Sequence, residues 1–315
     1  MSNNNTLIIG SRGSDLALWQ SNWVKSQLEE HHPELSIEIQ IVQTEGDKIL
    51  DTALSKIGGK GLFTKALEDR LLDGTVDLAV HSLKDLPTVL PEGLTISAIS
   101  EREDPGDVLV SKGGTLLADL PEGAHIATGS LRRQSQLLNY RSDFIIHDIR
   151  GNVPTRIQKL KDSDWHGMVL AKAGLVRLEM EDEATETISQ DIMLPAVGQG
   201  ALGIETRSDD FQIKAIVAPI NDADTEAGTR AERGFLRKLE GGCQVPIGAY
   251  GEVIGGEVNL QGYVGALDGS KSVRGEISGS PDDATSLGIQ LANQLLKDGA
   301  EEILLEVREA LEPNE

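Results

Sequence analysis

Cys243 and the run His81-Ser82-Leu83-Lys84-Asp85 hold the side chains best suited to covalent and acid–base chemistry. Cys243 is the only cysteine among 315 residues and stands in Leu239-Glu240-Gly241-Gly242-Cys243-Gln244-Val245-Pro246. Without a second cysteine there is no intrachain disulfide and no cysteine metal cluster, which leaves packing or nucleophilic chemistry. Two glycines before the sulfur and a proline after it describe a shaped, accessible loop, whereas a packing cysteine more often sits inside a helix or strand pattern. The run ending in Asp85 follows the apolar stretch Val76-Asp77-Leu78-Ala79-Val80 and closes on Pro87. It brings four polar side chains to the end of a strand, where open α/β sheets place their chemistry. A solvated turn with an adjacent Lys84–Asp85 pair is the plain alternative.

Cations form the second constellation. Arg12 lies between the strand Leu7-Ile8-Ile9 and a helix that Ser14 can cap, and Lys60 ends a Gly58-Gly59 pair whose N–H groups could cradle an anion. That loop lacks full phosphate-loop spacing. Farther on, Ser130-Leu131-Arg132-Arg133, Arg150-Gly151-Asn152 with Arg156, and Lys172 to Arg177 each follow a short apolar run. Arginines in a first helical turn oppose the helix dipole, so Arg132 and Arg133 need a reason such as a bound anion. Pairing with neighbouring acids such as Asp148 and Glu179 accounts for one or two of the set. The rest suggests a pocket for several carboxylates or phosphates.

The overall charge points the other way. Lys plus Arg is 29 against 51 for Asp plus Glu, a formal net charge of -22, which argues against nucleic acid and anionic membranes as partners. Met1 to Thr6 lack the pattern of a signal peptide, and no run reaches the roughly 18 apolar residues of a membrane span. A soluble, cytoplasmic protein is expected. Gly198-Gln199-Gly200-Ala201-Leu202-Gly203 matches the dinucleotide fingerprint literally but precedes a strand instead of opening a helix, so nucleotide binding is rejected.

The elements that must position these groups read as β-α-β units. A helix after Ser14 is expected to bury Leu16, Trp19, Trp23 and Leu28, and Ile37, Ile39 and Ile41 alternate as a half-buried strand. Further strands are expected at Leu94 to Ile99, Val108 to Val110, His125 to Thr128, Phe144 to Ile149, Met168 to Ala171 and Ala201 to Glu205. A helix opening near Asp222 or Thr225, Gly-punctuated strands and two closing helical segments make an α+β end. The division is therefore two α/β lobes, residues 1–100 with 200–218 and residues 101–199, and a smaller α+β domain at 219–315.

Arg12-Gly13-Ser14 with Leu16-Ala17 and Gln20, Gly58 to Phe63, Ala79 to Pro87, Ser130 to Arg133, Arg150 to Val153, Leu194 to Gly200 and Glu240 to Cys243 together resemble the hydroxymethylbilane synthase, or porphobilinogen deaminase, family. The motifs run in order over about residues 10 to 250. One departure is Gly129, where members commonly carry serine. The resemblance implies two periplasmic-binding-protein-like lobes hinged around a cleft, and a third domain that brings its cysteine there. It implies a transferase of porphyrin and haem biosynthesis that deaminates four porphobilinogen molecules, joins them head to tail, and releases hydroxymethylbilane with water. It also implies a dipyrromethane cofactor held by a thioether at Cys243, with Lys84, Ser130, Arg132, Arg133 and Arg150 around it. Arg12, Ser14, Lys60, Arg156 and Arg177 are then the substrate-binding set and Asp85 the catalytic carboxylate. No metal is implied, and a monomer is expected.

The residue types suit that chemistry. Each porphobilinogen adds an acetate and a propionate, and arginine forks bind carboxylates in two-point fashion. One charge-assisted bond contributes about 1.5 to 3 kcal/mol, so several arginines must share a growing chain. Loss of ammonia leaves an azafulvenium-like cation, which a carboxylate aimed at the ring N–H stabilises. Two other classes compete: a non-enzymatic two-lobed binder of a small polycarboxylate, which has no use for the cysteine loop, and a cysteine hydrolase, which needs a histidine partner for the thiol.

Overall fold

A computed structural model of the chain describes residues 6–48, 61–239 and 245–311. Among these, the chain forms two compact units: 6–48 with 61–103 and 201–226, and 104–200 with 227–239 and 245–311.

In the first unit, Thr6–Ser11 (β1), Ser36–Ile41 (β2), Leu78–Ser82 (β3), Leu94–Ile99 (β4) and Leu202–Arg207 (β10) make one sheet in the order β2-β1-β3-β10-β4. β1 is parallel to β2 and β3, whereas β10 is antiparallel to β3 and β4. Ile9, Leu78 and Ile204 are fully buried under Val24 and Leu28 of the helix Asp15–His31 (α1). That helix is turned by about one residue from the expected face: Gln20, Ser21, Val24 and Leu28 are buried, while Trp19 is 37% exposed. Polar strand ends cause the rotation. Ser21 Oγ donates to Ser11 Oγ at 2.7 Å and Gln20 Nε2 to Ser82 Oγ at 2.8 Å, so polar residues are drawn inward where indoles would leave hydroxyls unsatisfied. Ile41 is likewise 58% exposed because β2 is an edge strand.

In the second unit, Asp107–Ser111 (β5), His125–Ala127 (β6), Ile145–His147 (β7), Gly167–Ala171 (β8) and Glu186–Thr187 (β9) form a sheet in the order β7-β6-β8-β5-β9. β7, β6 and β8 are parallel neighbours, each followed by a helix: Leu131–Tyr140 (α3) after β6, Val153–Asp162 (α4) after β7, Lys172–Arg177 (α5) after β8. The helix Lys65–Leu72 of the first unit is α2. The strand expected over Phe144 to Ile149 contracts to three residues, because β7 has a ladder on one side only and the flanking Phe144 and Ile149 are core residues instead. A right-handed connection joins parallel strands this way, so three junctions necessarily share one sheet edge. Asp107 pairs with Ala171 at the end of β8 and joins that edge.

The same unit carries the meander Ile247–Ile254 (β11), Glu257–Gly265 (β12) and Ser272–Gly279 (β13), with the helix Ala223–Lys238 (α6) from residue 227 onward and the helices Ala284–Leu295 (α7) and Glu301–Leu311 (α8). Asp222 Oδ1 accepts from Thr225 N at 2.8 Å and so starts α6, whose Phe235 packs with Leu260 and Leu291. A Cβ on Gly228 would lie 2.4 Å from Gly251 O, so helix and strand backbones touch there and only glycine fits.

Three of the six histidines gather on the parallel strands: His125 opens β6, His147 ends β7 and His166 stands just before β8, its ring tilted against that of His125. His147 Nε2 lies 3.0 Å from His125 Nδ1, the two rings are 4.9 Å apart, and His147 also stacks on Trp165 at 5.4 Å. Only one proton fits between two ring nitrogens. Partial burial first, and His125 second, hold His147 below its ordinary value of 6.5. A depressed folded-state value means stability that is present above about pH 6.5 and is lost as pH falls through the folded value. The melting temperature is therefore expected to drop between pH 7 and 5.5, and His147→Phe, which stacks but cannot titrate, should flatten that drop. Parallel melting curves for the two proteins would show that the pair does not titrate on unfolding.

Candidate functional site

Asp85 is the last residue of a single 3-10 turn, Leu83–Asp85, that follows β3 directly. Leu83 and Leu86 are buried with Ile99 and Ala201, and Leu83 N donates to Ala201 O at 3.0 Å. Two leucine anchors on either side force the intervening Lys84 and Asp85 outward, and Asp85 is exposed. Gly203 helps: a Cβ there would meet Leu83 and Leu86 at 3.1 Å, while Gly198 and Gly200 have φ of 74° and 94°. The glycines that imitate a nucleotide fingerprint therefore serve a turn and the packing behind Asp85.

Arg12, Ser14, Gln20, Phe63, Ser82 and Asp85 line one pocket in this unit. Ser14 caps α1, accepting from Ala17 N at 3.3 Å, which leaves its hydroxyl proton free to point outward. The Arg12 guanidinium stands 4.3 Å from the Phe63 ring centroid, a distance for cation–π attraction that fixes the fork's plane. Of the residues expected from sequence, the fold brings Arg12, Ser14 and Asp85 together here. Lys84 sits on the same turn, half-buried and outside the pocket lining. Gln20 and Phe63 were missing from the expected set, although a glutamine on the inward side of a helix was the signal for the first. Lys60 and Cys243 lie outside the described residues.

The second unit holds the arginines. Ser130 caps α3, its Oγ accepting from Arg133 N at 3.5 Å. The anion required by two cations in a first helical turn is Asp107, not Asp148 or Glu179. Arg132 Nη1 donates to Asp107 Oδ2 at 2.6 Å, and Arg133 Nε and Nη2 donate to Asp107 Oδ1 at 3.1 and 2.7 Å. Gln199 Nε2 adds a fourth bond at 2.9 Å. Burial alone would push the Asp107 carboxyl up, but Arg132 and Arg133, with the bonds from Arg132 and Gln199, hold it well below the usual carboxylate range. Arg132 also reaches Leu194 O, and Arg133 reaches Val169 O. Arg133 thus spends all three nitrogens inside the protein, whereas Arg132 Nε is buried with no acceptor among the described residues. Such a donor marks a place where a ligand's acidic group would fit.

The remaining arginines take separate positions along the same edge. Arg177 is buried and donates to Gly200 O at 2.6 Å, beside Gln199. Arg150 and Arg156 are half-buried at the β7–α4 junction, where Asn152 caps α4 and Arg156 Nε donates to Gly151 O at 2.7 Å. Gly129 has a local reason as well: a Cβ would lie 2.8 Å from Ile149 O.

Two family models match the chain. One, described as porphobilinogen deaminase, dipyromethane cofactor binding domain, covers residues 7–215; the other, porphobilinogen deaminase, C-terminal domain, covers residues 227–297. The curated porphobilinogen deaminase of Carboxydothermus hydrogenoformans is 53% identical over 302 residues, 96% of this chain and 97% of that protein. That of Chlorobaculum tepidum is 53% identical over 305 residues, 96% of this chain and 98% of the relative. Among solved structures, the methionine-binding protein MetQ aligns at 12% identity with a TM-score of 0.44, covering 69% of this chain and 90% of that one.

Proposed function

Since the chain belongs to the porphobilinogen deaminase family, we propose that Asp85 is its catalytic carboxylate and that the arginines of the second sheet edge hold its cofactor. The activity itself is that of a transferase, which deaminates porphobilinogen and joins four units head to tail into hydroxymethylbilane. The cofactor is dipyrromethane. When bound, it supplies the free pyrrole position to which the first substrate is joined. Cys243 is the attachment point in this reading, with Lys84, Ser130, Arg132, Arg133 and Arg150 around the cofactor and Arg12, Ser14, Lys60, Arg156 and Arg177 on the substrate. The division at 1–100 with 200–218, 101–199 and 219–315 belongs to the same reading.

The observation that carries it is the Asp85 turn. Buried leucines press an exposed carboxylate into a pocket whose other charged wall is Arg12, plane-fixed by Phe63. Arg12 takes a substrate carboxylate by two-point bonding, Ser14 donates a further hydrogen bond, and Asp85 accepts from the ring N–H where positive charge develops. A preformed site of this kind needs little reorganisation when charge appears. In the second unit, Arg132 offers its buried Nε–H to an acidic side chain, and Arg133 holds Asp107 so that Arg132 keeps its orientation.

No helix among the described residues is long and apolar enough to cross a membrane. A formal net charge of -22 supports a reading without nucleic acid or anionic membrane as partner, and a cytoplasmic monomer completes it. Intact-mass spectrometry of the denatured protein tests the whole. An adduct the size of two linked pyrroles is expected, and Cys243→Ser should lack it, because a serine hydroxyl is a far weaker nucleophile than a partly ionised thiol. The full adduct on Cys243→Ser would move the attachment elsewhere. An unmodified parent protein would favour the polycarboxylate binder.

A further inference from the structure

Beneath the Asp85 pocket lies a group of buried titratable side chains that the proposed reaction leaves unused. His81 on β3 and Glu205 on β10 are 5% and 0% exposed, and His81 Nε2 is 3.0 Å from Glu205 Oε2. A carboxylate has no proton to give, so the imidazole donates. Glu68, on α2, is 6% exposed. One oxygen of each acid, Glu68 Oε1 and Glu205 Oε1, is buried with no hydrogen-bond partner among the described residues. Thr64 Oγ1, beside Glu68, is buried without a partner as well, but one hydroxyl can turn toward only one acceptor, so a proton is still needed to meet the second orphaned carboxylate oxygen.

The surroundings supply little else. α2 packs against β1, β3, β4 and β10. β1 and β4 carry no titratable side chain, β3 carries His81, and β10 carries Glu205 and Arg207. Arg207 is engaged by Leu71 O, Val76 O, Asp77 and Asp210. On α2 itself stand Lys65, Asp69 and Arg70, of which Asp69 bears on Glu68 with the same sign as Glu205. One imidazole therefore faces two buried acids.

We infer that Glu68 is kept as the neutral acid, that its proton and the His81–Glu205 pair form one buried hydrogen-bonded unit, and that this unit positions Ser82 at the end of β3 and the turn after it that carries Lys84 and Asp85. His81 lines the pocket beside Ser82 and Asp85, so the unit is the floor of the site. Burial first, and the charge of Glu205 among the lesser causes, push Glu68 above its ordinary value of 4.5, against lowering by Thr64 and His81. A raised folded-state value means stability that is complete below about pH 4.5 and is lost as pH rises through the folded value. Ionising Glu68 puts a second carboxylate beside one imidazole, and the strand end loosens. The three residues are positioning residues and act on substrate only through the turn that they hold.

The link to turnover rests on Asp85 being the catalytic carboxylate, while the link to stability does not. Full-length cofactor-loaded protein is compared with Glu68→Gln and Glu205→Gln, measuring kcat, KM and urea midpoint from pH 5 to 9. Glu68→Gln imitates the neutral acid and cannot ionise, so its midpoint should stay level where the parent's declines with rising pH, and the basic limb of its kcat profile should move up by about one unit. Glu205→Gln should lower kcat about tenfold or more with KM within about twofold, because a neutral amide replaces the carboxylate that holds the His81 ring. Superimposable pH curves for the parent and Glu68→Gln would overturn the proposal, as would an unchanged kcat in Glu205→Gln. Should Glu205→Gln not fold, the Glu68→Gln midpoints decide alone. If Asp85→Asn proves active, a level Glu68→Gln midpoint still reports the proton on Glu68.

Discussion

Asp85→Asn should reduce turnover at saturating porphobilinogen by about 10² to 10³, with KM little altered. The substitution preserves size and shape and removes only the negative charge. Leu83 and Leu86 anchor the turn from both sides, so the side chain at 85 carries none of the packing and the fold is unaffected. When ammonia leaves the substrate, positive charge appears on the pyrrole nitrogen, and an amide oxygen opposes it far less well than a carboxylate. A residue that also relays the ring proton costs more still when changed. Binding depends instead on the arginine forks, which the variant retains. Were Asp85 merely a solvated partner of Lys84, the variant would melt slightly lower and keep its rate. Turnover within a few-fold of the parent, measured per folded molecule, would remove Asp85 from the mechanism.

Asp107→Asn should lower the unfolding free energy by about 3 to 5 kcal/mol, the cost typical of breaking a buried charge pair from one side. Asp107 is fully buried and neutralises Arg132 and Arg133 together; the amide would leave two guanidinium groups out of water with no counter-charge. Urea unfolding at pH 7 measures the loss. A change near 0.5 kcal/mol, typical of surface positions, would mean that the arginines find other partners. The pH dependence gives an independent sign. Because the folded-state carboxyl sits far below its ordinary value of 3.8, the stability it contributes is present above that value and is lost as pH falls below it. Acid unfolding of the parent should therefore include a component that Asp107→Asn lacks. The variant should also retain less dipyrromethane, since Arg132 would no longer be held by Asp107 and Leu194 O together.

Local signals sufficed for much of the molecule. Ser14 and Asp222 start the helices that their positions announced, because a cap acts within three residues and is written in consecutive letters. Arg132 and Arg133 were recognisable as cations in need of an anion for the same reason: the dipole they oppose belongs to their own helix. The α/β class followed from strand and helix periods, and the family from motifs that keep their order. What the letters could not give was partnership across the sheet. Asp107 answers the two arginines only because β5 runs antiparallel to β8 and starts where the parallel strands end. His81 meets Glu205, 124 residues away, only because β10 inserts between β3 and β4. The face of α1 was misjudged on the same account, since Gln20 and Ser21 turn inward to hydroxyls on strands the helix merely crosses. Sequence period reports how an element alternates, whereas strand order decides which distant groups end within hydrogen-bond reach, and buried polar groups follow the second.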